Sequence, residues 1–83
     1  PNPFNPETLI RYAVPDKGRV TLKIYNVLGQ EIFTLVDQNH VAGYYAVRWN
    51  GRDRADRTVA SGVYLYRLQA EGFAQVHKML LLK

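Results

Sequence analysis

Arg19-Val20-Thr21-Leu22-Lys23-Ile24-Tyr25-Asn26-Val27-Leu28-Gly29-Gln30 is the stretch on which the fold turns. Val20, Leu22 and Ile24 fall on one side, with Thr21, Lys23 and Tyr25 on the other. That repeat of two is the signature of a strand with one buried face, not of a helix. The next four residues, Asn26 to Gly29, read as a type I turn. The Asn26 side chain caps the backbone, and Gly29 takes the left-handed position that feeds a bulge. The chain therefore reverses into a second strand over residues 31–37. Ile32 and Leu35 lie three apart there, a break in the alternation that predicts a bulge.

The same reading extends outward from this hairpin. Residues 8–14 place Ile10, Tyr12 and Val14 on one face and Arg11 on the other, and Pro15 closes the strand because proline cannot donate to a ladder. Residues 44–50 set Tyr45, Val47 and Trp49 against Tyr44, Ala46 and Arg48. Residues 63–70 and 73–82 complete the series, with turns at Asn50-Gly51 and Glu71-Gly72. The glycines at 18, 29, 43, 51, 62 and 72 recur near the turn spacing of small sandwiches. No window carries a helical stripe. These features predict an all-β protein, an immunoglobulin-like antiparallel β-sandwich of about seven strands. Trp49 is expected at the centre of its core, with a partner for the indole N–H. Tyr64, two residues after Gly62, is expected to fold its hydroxyl back onto the chain.

With 83 residues the chain holds a single domain. Cysteine is absent, so neither a disulfide nor a thiolate metal site supports the core. No apolar run, residues 79–82 included, approaches the roughly 20 residues of a membrane-spanning helix. The sequence opens Pro1-Asn2-Pro3 without an initiator methionine, and we read it as a piece of a longer protein. The net charge of +4 is spread along the chain. The one basic concentration, Arg48, Arg52, Arg54 and Arg57, interleaves with Asp53 and Asp56 in a loop, which points away from nucleic acid.

Catalytic chemistry finds little to work with. The only serine, Ser61, sits in Val59-Ala60-Ser61-Gly62, which lacks the first glycine of a nucleophile elbow. His40, read as a turn residue, and His77, on a strand, have no neighbours at metal-ligand spacing and suit surface roles. Asn50, Asp53 and Asp56 share a loop, but their spacing does not match a calcium loop and arginines crowd them. No metal or other cofactor is expected, and the chain is not read as an enzyme. Tyr25 and Tyr44 fall on outward faces, where tyrosines either stabilise a sheet or stack on sugars.

Several strings then resemble a known family. Pro1-Asn2-Pro3-Phe4-Asn5-Pro6 precedes Thr8, Ile10 and Tyr12. Tyr25-Asn26 with Gly29-Gln30 follows, then Gly43 with Trp49, then Gly62-Val63-Tyr64 and a lysine-flanked apolar end. In that order and spacing they resemble the C-terminal sorting domain of type IX secretion substrates, and are similar to the immunoglobulin-like domain of flagellar hook-capping proteins. Asp56 stands where that family has glycine, and aspartate accepts the left-handed conformation better than most residues. The resemblance implies a C-terminal sorting and cell-surface attachment module of a secreted protein. Its implied partners are outer-membrane secretion and attachment proteins and an upstream catalytic or adhesive domain, and its route runs through the periplasm to the surface. It carries recognition onto Lys78, Met79, Leu80, Leu81, Leu82 and Lys83, and fold-defining roles onto Gly62 and Tyr64. Two alternatives stay open: a carbohydrate-binding accessory module and a flagellar cap-like assembly domain.

Overall fold

The structure, a computed structural model, describes residues 7–82. Among these the chain forms six strands: β1 (Thr8–Val14), β2 (Gly18–Asn26), β3 (Glu31–His40), β4 (Gly43–Trp49), β5 (Gly62–Ala70) and β6 (Phe73–Leu81). The expected count was about seven. Residues 50–61, long enough for another strand, form turns closed by a single bridge between Arg52 and Thr58. The Asp53 side chain accounts for this: its carboxylate collects the backbone N–H groups of Ala55 and Arg57 at 2.9 and 3.0 Å, bending the segment back on itself.

Two antiparallel sheets face each other. One pairs β1 with β4; the other has the order β3-β2-β5-β6. The faces read from alternation are the ones that pack. Val20, Leu22 and Ile24 of β2 are fully buried, and Ile10, Tyr12 and Val14 of β1 meet them from the smaller sheet, together with Trp49. Val36, Tyr64, Leu68 and Leu81 complete the core. Each buried aliphatic side chain contributes roughly 1.5–3 kcal/mol, which is how a chain this short holds together without cysteine.

The β2–β3 connection follows its sequence closely. The Asn26 Oδ1 accepts the N–H groups of Leu28 and Gln30 at 2.9 and 3.0 Å, the Gly29 N–H donates to the Asn26 carbonyl at 3.0 Å, and Gly29 sits at φ 82°. The register between β2 and β3 slips twice, after Leu22 and after Ile24, which is the irregularity foreshadowed by the uneven spacing of Ile32 and Leu35. Asp56, the non-glycine residue expected to tolerate a left-handed backbone, has φ 61°.

Candidate functional site

Strand β6 is an open edge. It pairs with β5 from Gly62↔Leu81 to Ala70↔Phe73 and, among the described residues, has no strand on its other side. An edge strand exposes backbone donors and acceptors to any chain that can align with it. Its side chains divide by alternation. Leu81 is 2% exposed and sits in the core, and Met79 packs against that core. Leu80 and Leu82 point the other way, 60% and 69% exposed, and Lys78 is exposed beside them. Val63 of β5 lies directly across from Leu80, widening the apolar row. The six residues expected to act as one recognition segment are therefore split. Met79 and Leu81 hold the strand down, whereas Lys78, Leu80 and Leu82 face solvent; Lys83 lies outside the described residues, as does the Pro1-to-Pro6 string.

What anchors this end of the sandwich is the group singled out as fold-defining. Trp49 is fully buried and its indole N–H donates to the Arg52 carbonyl at 3.0 Å. The Tyr64 ring meets Trp49 edge-on at 5.2 Å between centroids, and its hydroxyl donates to the Ala60 carbonyl at 2.7 Å. Burial raises the Tyr64 pKa above the ordinary tyrosine value. Gly62 opens β5 at φ 153°, a backbone angle that side chains resist, although the space beside its Cα is empty.

A second tyrosine does the same and was missed in the sequence. Tyr45 donates its hydroxyl to the Val41 carbonyl at 2.6 Å, again four residues back, and Gly43 precedes it as Gly62 precedes Tyr64. The shared Gly-x-Tyr spacing was the available signal. Tyr45 also corrects the reading of His40. That histidine is not a surface turn residue but the half-buried end of β3, stacked on Tyr45 at 4.1 Å and hydrogen-bonded through Nε2 to the Tyr12 hydroxyl at 2.8 Å. Burial, and to a lesser degree the nearby Tyr45, raise the Tyr12 pKa. His77 is exposed and stacks on Tyr66 at 5.1 Å.

The charged loop is occupied by its own partners. Arg57 pairs with Asp53 at 3.1 Å, Arg52 donates to the Asp56 carbonyl at 2.8 Å, and Arg54 approaches Glu31 at 3.7 Å. The Asp53 pKa is lowered, first by the Arg57 backbone N–H and further by the Ala55 N–H and the Arg57 guanidinium, against a smaller opposing effect of burial. Its oxygens are engaged within the loop rather than arranged around a cation. Tyr25 and Tyr44, weighed together as a sugar platform, lie on the outer faces of different sheets, Tyr25 in β2 and Tyr44 in β4, so they form no common surface.

The family model described as the FlgD Ig-like domain matches residues 9–72, which end just before β6. A solved structure of FlgD from P. aeruginosa superposes with a TM-score of 0.71 at 16% sequence identity, covering 90% of this chain and 58% of that one. This chain thus spans little more than half of that protein's length. No curated protein matches it in sequence. A family match over residues 9–72, together with the same two-sheet fold, places this chain in the FlgD Ig-like domain family.

Proposed function

We propose that this domain is a non-catalytic assembly module, related in role to the flagellar hook-cap domain it resembles, that packs against another polypeptide through the open edge and outward row of β6. The observation that carries this is the split of the strand: Leu81 fixes it in the core while Leu80 and Leu82, two large apolar side chains, stand 60% and 69% exposed on an edge that is unpaired among the described residues. Exposed apolar rows of this kind mark contact surfaces, and edge strands bind by strand addition. Membership of the FlgD Ig-like family supports a structural rather than chemical task. The test replaces Leu80 and Leu82 by lysine in the full-length protein. Folding is retained, because neither side chain is in the core, and incorporation into the assembly falls. Unchanged incorporation contradicts the proposal.

A second reading, a sorting module recognised at the outer membrane on the way to the cell surface, is favoured by the same exposed end with Lys78 beside it. Deleting the last six residues is a poor test, because it removes Leu81 from the core. Residues 1–83 fused to a reporter in a type IX-competent host, with Lys78, Leu80 and Leu82 substituted, isolates recognition from folding. Loss of surface delivery by a folded fusion supports sorting. Delivery that never occurs leaves assembly as the function.

A further inference from the structure

At the opposite end of β6, seven residues or about 23 Å from Leu80, lies a groove of about 610 Å³ that the assembly reading does not use. Val14, Pro15 and Phe73 give it an apolar lining, and Tyr44, 91% exposed, stands beside them. Asp16, from the β1–β2 turn, and Glu71, from the β5–β6 turn, also line it.

The two acids are set apart by where they lie. The chain has seven acidic and eleven basic residues. Glu31, Asp37, Asp53 and Asp56 each have an arginine or lysine partner. Among the described residues Glu7, Asp16 and Glu71 have none, and of these Asp16 and Glu71 line the groove, with Lys17 lining the adjoining recess beside both. With cations in excess, carboxylates left unpaired on opposite turns of one groove contribute nothing to the fold by pairing. They leave the groove with negative charge that a cleft concentrates.

From this groove we infer a docking site for an extended polypeptide segment of a partner protein, with one lysine or arginine between apolar side chains. Carboxylates accept hydrogen bonds and donate none, whereas ammonium and guanidinium groups only donate. An exposed tyrosine face attracts a cation. The apolar lining receives the flanking side chains. A neutral saccharide also uses an aromatic face, but it leaves both negative charges uncompensated.

The test is NMR titration of the 83-residue chain with acetyl-Thr-Val-Lys-Val-Thr-amide. Its arms are the same peptide with norleucine for lysine, putrescine, and a neutral cello-oligosaccharide. The lysine peptide is expected to shift the signals of Asp16, Tyr44, Glu71 and Phe73. The norleucine peptide, and the lysine peptide against D16N/E71Q, are expected to bind at least about tenfold more weakly, the loss of a charge-assisted hydrogen bond. Tyr44→Ala is expected to weaken binding while leaving the melting temperature unchanged. The inference is overturned by any of three results: no shifts up to about 5 mM peptide, a range weaker than specific recognition; equal binding of the norleucine peptide; or binding of putrescine or the oligosaccharide as tight as that of the lysine peptide. The norleucine arm decides the matter even if D16N/E71Q fails to fold.

Discussion

Tyr64 and Tyr45 form a matched pair that separates the value of a tyrosine hydroxyl from its surroundings. Both donate to the carbonyl four residues back, at 2.7 and 2.6 Å, and both follow a glycine by two. Their settings differ. Tyr64 is buried against Trp49, 7% exposed, whereas the Tyr45 hydroxyl reaches Val41 at an exposed turn. Replacing either by phenylalanine keeps the ring and removes the donor. For Tyr64→Phe the loss is the net worth of a partly buried hydrogen bond, about 1 kcal/mol, which for a domain of this size lowers the melting temperature by roughly 4–8 °C. For Tyr45→Phe water replaces the lost donor at Val41, so the loss is about 0.5 kcal/mol or less. Differential scanning calorimetry of both variants, with a two-state check, reads the difference. A Tyr64→Phe variant that melts within about 1 °C of the parent, well inside the shift expected, or a Tyr45→Phe variant that loses as much, refutes the argument that burial sets the value of this bond.

Other outcomes follow from the same structure. Leu81→Ala is expected to cost about 2–5 kcal/mol, a large part of the roughly 4–12 kcal/mol available to an 83-residue domain, whereas Leu80→Ala stays within about 0.5 kcal/mol; urea denaturation compares them. Asp53, whose pKa is lowered in the folded chain, contributes stability that is present above its unfolded value of 3.8 and lost as pH falls through its folded value. The stability gap between the parent and Asp53→Asn is therefore expected to be full at pH 6 and to close in acid, as followed by thermal melts across pH. Tyr12 and Tyr64 have raised pKa values, so their contribution is fully present below the unfolded value of 10.0 and lost as pH rises from there through their folded values. Alkaline titration of circular dichroism is expected to show destabilisation beginning near that pH, and less of it in Tyr64→Phe.

The core was legible wherever alternation was regular. Val20, Leu22 and Ile24 sit where a period of two places them, and Asn26 to Gly29 closes as its turn chemistry demands, because both depend on contacts between near neighbours in sequence. Three things were not legible, for one reason: each depends on which strands become neighbours. His40 read as a turn residue because nothing beside it in sequence reveals that β3 runs on to place its ring on Tyr45 of the other sheet. The residues 78–83 read as a single apolar tag because a run of leucines hides its own alternation. Only the pairing with β5 assigns Leu81 inward and Leu80 outward. The groove between Asp16 and Glu71 was invisible for the same reason, since its two carboxylates are 55 positions apart in the chain.

The outward side of β6 is the surface proposed to meet another polypeptide. Site-specific photo-cross-linking from position 80 of the full-length protein, in the cells that make it, addresses this directly, with a probe at Ala55 in the exposed loop as the reference. The expected result is an adduct from position 80 to one defined segment of one polypeptide, lost when Leu82 is changed to lysine and absent from position 55. Labelling from position 80 no greater than from position 55, in folded protein, contradicts the account.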